Sequence, residues 1–161
     1  DHRDLHSFPT RRSSDLQTLS INLTGTFAVS QKVYQLMKKN KGGVIVNIAS
    51  DAGEIGSTMS SADYAVSKAG VICLTKCIAR EGAEFGIRSN VIAPGFIKSE
   101  MLEKFEEYWG MKKLKETVDS IPLRRMGCPE EVAKLASFLA SENAQYITGA
   151  TFDINGGSCM N

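Results

Sequence analysis

No stretch of this 161-residue chain stays apolar for the roughly 20 residues that span a bilayer, so no membrane helix is expected. An excess of charge of one sign is missing too. The 19 Lys and Arg nearly balance the 18 Asp and Glu, leaving a formal net charge of +1. That removes the electrostatic case for nucleic acid or an anionic membrane surface as partner. Cysteine is sparse: Cys73, Cys77, Cys128 and Cys159 show no paired metal-ligand spacing. Cys73 and Cys77 lie one helical turn apart, but no His or second Cys pair accompanies them. No metal site is expected, and ordinary buried thiols in a reducing compartment are the plain reading. Neither an initiator Met nor an apolar signal core opens the chain, and no internal repeat runs through it.

Residues 1–16 read differently from the rest of the chain. They are polar and aperiodic, with Pro9 between two charged patches. Asp1, Asp4 and Asp15 argue against a mitochondrial presequence. His2 and His6 stand four apart with nothing to complete a metal site. This stretch is expected to be a non-homologous, artefactual or disordered segment, and residues 17–161 to carry the domain.

What is present is an ordinary globular composition, 42% hydrophobic and 23% charged. From Leu16 the apolar residues Leu19, Leu23, Phe27, Tyr34 and Met37 recur at helical steps, until Asn40 and Gly42-Gly43 end the stripe. Val44-Ile45-Val46-Asn47-Ile48 is a short, mostly β-branched run, as in a strand buried on both faces of a parallel sheet. A second helix is expected over residues 62–85 and a second strand over 87–93, stopped by Pro94-Gly95. A third helix is expected over 101–118. Pro129, followed by Glu130 and Glu131, opens a fourth. A last strand runs over 151–154. The order α-β-α-β-α-α-β implies an α/β fold: three parallel strands of a doubly wound, Rossmann-type sheet with flanking helices.

The segment that carries chemistry is Tyr64-Ala65-Val66-Ser67-Lys68. Tyr and Lys four apart on a helix share a face. A nearby ammonium favours the phenolate, and a Tyr so tuned can donate a proton to a carbonyl or take one from an alcohol. Taken alone, the pair is also what a solvated lysine beside a core tyrosine looks like. Context sharpens it. Ser50 falls just past the end of the first buried strand, where ligands bind in open α/β sheets. The second strand ends at the same edge in Ala93-Pro94-Gly95-Phe96-Ile97-Lys98-Ser99, where Gly95 permits a close backbone approach to a flat ligand.

Together Asn47-Ile48-Ala49-Ser50, Tyr64-x-x-x-Lys68, Ala93-Pro94-Gly95 and Asn155-Gly156-Gly157 resemble the short-chain dehydrogenase/reductase family, from Gln17 to Asn161. Within it the chain is most similar to 3-oxoacyl-(acyl-carrier-protein) reductases. Asn22-Leu23-Thr24-Gly25-Thr26-Phe27 and Gly127-Cys128-Pro129-Glu130-Glu131 are among the segments that say so. The resemblance implies an oxidoreductase moving hydride between NADPH or NADH, the former preferred, and a carbonyl or secondary alcohol. A 3-oxoacyl thioester is the leading substrate. It implies Tyr64 as the acid/base and Lys68 as the residue that lowers its pKa and binds the nicotinamide ribose. Ser50 would orient the carbonyl, and Asn22 would hold a water linking Lys68 to solvent. Pro94, Gly95, Ile97 and Ser99 would line the nicotinamide, and Phe105, Tyr108 and Trp109 fall where family members cover the substrate. It implies an intracellular homotetramer, cytoplasmic or in the mitochondrial matrix.

Two departures from the family pattern stand out. Ser50 to Tyr64 is one residue longer than the commonest spacing, so the loop between them must bulge. The Gly-rich turn that seats a dinucleotide's pyrophosphate occurs nowhere in residues 1–161. A chain lacking the preceding strands would expose the flank of 44–48, an aggregation-prone edge. By itself it would bind cofactor poorly and turn over nothing. Two other readings stay open: a truncated, non-catalytic subunit or binding partner of the same fold, and an unrelated α/β binding module.

Overall fold

The computed structural model describes residues 12–56 and 60–160, and the side chains of 14–56, 60–99 and 110–160. Its sheet has three parallel strands, β1 (Gly43–Ile48), β2 (Ile87–Pro94) and β3 (Thr151–Ile154), hydrogen-bonded in the order β1-β2-β3. Asn47 pairs with Val91 and Ile48 with Ile92, while Ile92 pairs with Phe152 on its other side. The β-branched runs form the strands, as expected. β2 is buried along almost its whole length, with Val91, Ile92 and Ala93 at 0% exposure. Successive side chains point to opposite faces, so both faces of β2 are covered. β1 pairs with β2 alone among the described residues, and Ile48 is 45% exposed.

The helices are α1 (Arg12–Leu19), α2 (Thr26–Lys39), α3 (Ala52–Ile55), α4 (Ala62–Gly82), α5 (Glu100–Ser120) and α6 (Pro129–Ala140). Three features go beyond the sequence pattern. The first expected helix is not regular: a π-helical segment, Ser20–Gly25, joins α1 to α2. A short α3 comes after Ser50. In α5, Gly110 takes φ +76°, a left-handed conformation that interrupts the helix. α1 begins at Arg12, so the end of the segment set apart by composition, residues 12–16, joins the helical run and α1 packs on α4.

α2, α4 and α6 pack against the sheet. The core between α4 and the sheet joins Val71 and Ile72 to Ala49 and Val91, with Leu23 leaning on it. Asn47 and Thr75, buried there, are satisfied, while Ser89 Oγ has no hydrogen-bond partner among the described residues. Asn47 Nδ2 donates to Thr75 Oγ1 at 2.9 Å, and Thr75 Oγ1 donates to Val71 O at 2.9 Å. Asn90 fastens the approach to β3, its Nδ2 donating to Ile147 O and its Oδ1 accepting from Ala150 N. Arg88 reaches three carbonyls, Leu139 and Ile147 through Nη1 and Ser141 through Nη2. It thereby caps the C-terminal end of α6.

Pro129 opens α6, and Glu131 Oε2 accepts from Cys128 N at 2.8 Å. Arg125 grips both Glu131 oxygens at 2.8 and 2.7 Å, and that hydrogen bonding holds the Glu131 carboxyl down at about 2. Among the described residues no helix is long and apolar enough to cross a membrane, and no group of three or more His, Cys, Asp or Glu side chains could hold a metal.

Candidate active site

Because all three strands run the same way, Ile48, Pro94 and Ile154 end at one edge, and the loops after them meet there. The ladder continues past the strand ends: Ala49 N donates to Ile92 O at 2.8 Å and Asp51 N to Pro94 O at 3.1 Å. Ser50 is therefore held by backbone on both sides. Its oxygen accepts Ala52 N at 3.2 Å and its hydroxyl donates to Asp51 Oδ1 at 3.2 Å. α3 then turns the chain directly onto α4. A Cβ on Gly53 would stand 2.7 Å from Ala69 N and from the Lys68 carbonyl carbon. Only glycine permits that approach, and the approach brings Ser50 to the Tyr64 end of α4.

The edge encloses a cleft of about 720 Å³, within the roughly 300–1,000 Å³ of small-molecule sites. Ser50, Tyr64, Lys68, Pro94, Gly95, Ile97 and Ser99 all line it. Asn22 does not. It sits one layer behind, in the π-helical segment, with Nδ2 donating to Ser67 Oγ at 3.1 Å. Ser67 in turn donates to Tyr64 O at 2.6 Å. Asn22 thus touches the turn of α4 between Tyr64 and Lys68 rather than the cleft. π-bulges are rare and favour functional positions, and the regular stripe of apolar residues around Asn22 gave no sign of one.

Lys68 Nζ donates to Ile48 O at 3.2 Å and lies 5.7 Å above the centroid of the Tyr64 ring. Burial lowers its pKa. Tyr64 is raised above its ordinary value, first by burial and then by the charge of Asp51, while a hydrogen bond with Ser50 pulls it down. Here the structure differs from the sequence expectation that Lys68 lowers the Tyr64 pKa. The ammonium sits over the ring face and on a carbonyl, so desolvation outweighs it.

Gly95 also has a reason the motif did not suggest. A Cβ there would meet Asn155 Cβ at 2.8 Å and Cα at 2.9 Å, so the C-terminal segment itself requires the glycine. Thr18, Ser60, Ser61, Phe96, Pro129 and Val132 line the cleft too. Phe96 and Pro129 lie in segments the sequence singled out without giving them a place in the site, and no motif marked the other four, which come from separate stretches of chain. The bulge expected between Ser50 and Tyr64 is left open, because residues 57–59 of that loop lie outside the described residues. The side chains of Phe105, Tyr108 and Trp109 lie outside them as well.

The family model described as enoyl-(acyl carrier protein) reductase, of the short-chain dehydrogenase type, matches residues 6–159. The chain belongs to the short-chain dehydrogenase/reductase family. It is 44% identical over 146 residues to (3R)-3-hydroxyacyl-CoA dehydrogenase of Rattus norvegicus, covering 89% of this chain and 54% of that protein. It is 46% identical over 140 residues to 3-oxoacyl-(acyl-carrier-protein) reductase of Thermotoga maritima, covering 86% and 54%. The crystal structure of gox2181 superposes with a TM-score of 0.89 at 33% identity, covering 96% of this chain and 60% of that one. The chain thus spans little more than half the length of the relatives it matches.

A short-chain dehydrogenase/reductase needs a place for a nicotinamide and its ribose, and the cleft fits that half of a dinucleotide. Pro94 and Ile97 give it an apolar wall beside Tyr64. An ammonium carries three donors, and Lys68 uses one on Ile48 O, so it has capacity for ribose hydroxyls. The pyrophosphate is a different matter, because residues 1–161 contain no Gly-rich turn to receive it.

Proposed function

We propose that the protein containing this chain is an NAD(P)-dependent oxidoreductase that reduces a carbonyl to a secondary alcohol, with a 3-oxoacyl thioester as substrate. The observation that carries the reading is the convergence of Ser50, Tyr64 and Lys68 on one cleft at the carboxyl ends of the strands. The substrate class rests on the relatives, named for 3-hydroxyacyl-CoA and 3-oxoacyl-(acyl-carrier-protein) chemistry. We take NADP ahead of NAD for a reductase.

Bound reduced nicotinamide would supply the hydride. Tyr64 donates the proton from its hydroxyl to the carbonyl oxygen as negative charge develops there. Its raised pKa keeps it protonated at neutral pH, the form an acid needs. Ser50 stands next to it and orients that oxygen. Lys68 stays cationic beside the phenolate left behind and binds the ribose. Asn22 braces the α4 turn that carries both, through Ser67. The apolar wall of Pro94 and Ile97 excludes water from the reacting face.

Exposed apolar side chains on the two long helices, Phe27, Val29 and Leu36 on α2 and Val66 on α4, support a homotetramer assembled through them. Cys73 and Cys77 on α4 are exposed rather than buried as expected from the sequence, and as free thiols they suit an intracellular, reducing compartment.

The test is reduction of a 3-oxoacyl thioester by NADPH in the full-length protein. Tyr64→Phe is expected to lower kcat by about 10²–10⁴-fold while cofactor binding holds. A Tyr64→Phe variant with full activity would reject the mechanism.

A further inference from the structure

The residue after Ser50 is absent from the motif's roles, yet it ties together three parts of the site. Asp51 Oδ1 accepts the Ser50 hydroxyl at 3.2 Å. Its Oδ2 accepts the Ser158 hydroxyl, from the C-terminal segment, at 3.1 Å. Its own N–H donates to Pro94 O at 3.1 Å. Oδ2 also lies 3.1 Å from where a Cβ of Gly95 would stand. The carboxylate is therefore wedged among the loops that end all three strands.

A hydroxyl has one proton and two lone pairs. The Ser50 proton goes to Asp51, and one lone pair takes Ala52 N–H. What remains is one lone pair, and the Tyr64 hydroxyl is within hydrogen-bonding reach of Ser50. The Ser50 bond pulls the Tyr64 pKa down, as a hydroxyl proton turned toward the tyrosine oxygen would, so Asp51 and Tyr64 compete for the Ser50 proton.

We propose that Asp51 is a positioning residue that fixes the Ser50 hydroxyl and holds Tyr64 in its protonated, proton-donating form. The inference rests on the reading of Tyr64 as the acid. While Asp51 keeps the Ser50 proton, a Tyr64 phenolate would meet only a lone pair on Ser50, which favours Tyr64 retaining its own proton. When Tyr64 passes that proton to the carbonyl oxygen, its O–H bond breaks and the O–H bond of the product forms. Ser50 keeps its hydrogen throughout and swings it from Asp51 to the phenolate. Solvent then reprotonates Tyr64.

Burial raises Tyr64 most, the Ser50 bond pulls it down, and the charge of Asp51, the smallest of the three effects, raises it. The charged groups around Tyr64 are Asp63 and Lys68 on its own helix and Asp51 on the loop after β1. Behind Asp51, Glu54 faces Asp153 of β3 and Lys76 of α4.

The full-length protein tests this with two readouts. Asp51→Asn keeps the shape and one acceptor but removes the charge. Ultraviolet difference titration between each protein and its Tyr64→Phe counterpart reads the Tyr64 phenolate without turnover. Its midpoint is expected to fall by about one pH unit in Asp51→Asn, with the alkaline limb of the reduction rate falling in step. Ser158→Ala frees the C-terminal segment but leaves the charge, and the midpoint should stay in place.

The second readout is a double-mutant cycle. Asp51→Ala is expected to cost roughly tenfold in kcat, and nothing further in a Ser50→Ala background. A midpoint that stays or rises in Asp51→Asn, or an equal Asp51→Ala loss in both backgrounds, overturns the proposal. A fully active Tyr64→Phe alongside a lowered midpoint rejects the catalytic reading instead, and upholds the coupling of Asp51 to Tyr64.

Discussion

Gly53 lies against the backbone of Lys68 so closely that a Cβ on it would stand 2.7 Å from the Lys68 carbonyl carbon. That contact sets how far Ser50 stands from the helix bearing Tyr64. Gly53→Ala must push α3 off α4, because the obstacle is helix backbone rather than a flexible side chain. The expected cost is about 1–3 kcal/mol of stability, as for other overpacked sites. kcat should fall by roughly 10²-fold through misplacement of Ser50. Thermal unfolding and steady-state kinetics of the full-length variant check both. Unchanged kcat would mean that Ser50 reaches the substrate without this contact.

Arg88 holds three backbone carbonyls that no strand or helix satisfies, at 3.0, 3.3 and 3.1 Å. Arg88→Ala strands those of Leu139 and Ser141, leaves Ile147 O to Asn90 Nδ2, and detaches the end of α6 from the approach to β3. The expected loss is about 2 kcal/mol or more. Arg88→Lys should recover only part of it, because an ammonium cannot reproduce the guanidinium fork. The midpoint of urea unfolding reads the difference.

Glu54 is raised to about 7, first by burial, then by the hydrogen bond and charge of Asp153 and the charge of Asp51, against a lowering pull from Lys76. No donor reaches its Oε2 among the described residues. A carboxyl raised in this way binds its proton more tightly folded than unfolded. Its contribution to stability is therefore fully present below the unfolded value near 4.5 and is lost as pH climbs through about 7. Glu54→Gln mimics the protonated form at every pH. It should match the parent below that window and exceed it above, by about 1 kcal/mol once partial exposure is discounted. Unfolding measured on either side of the window decides it. A variant less stable than the parent at alkaline pH would show that the charged carboxylate is the favoured form.

The strands, the long helices and the fold class were legible along the chain, because each rests on near neighbours. Val44 to Ile48 is β-branched and apolar enough to be a strand wherever it is placed, and Val91-Ile92-Ala93 before Pro94-Gly95 mark the end of the second. Tyr64 and Lys68 share a helix face by spacing alone. Ser50, Pro94 and Ile97 come from the rule that parallel strands end at one edge.

The remainder depended on atoms far apart in sequence. Asp51 meets Ser158 across 107 residues, and nothing near either residue announces it. Glu54 rises because Asp153 arrives on a different strand. The Tyr64 pKa, expected to be lowered by Lys68, is raised instead for the same reason. Spacing puts Lys68 on its face, but only packing decides that Nζ settles on Ile48 O, that the ring is desolvated, and that the charge beside the site is Asp51. Local pattern decides which residues share a face. Burial and long-range charge, which exist only once the chain is packed, decide what those residues do to one another.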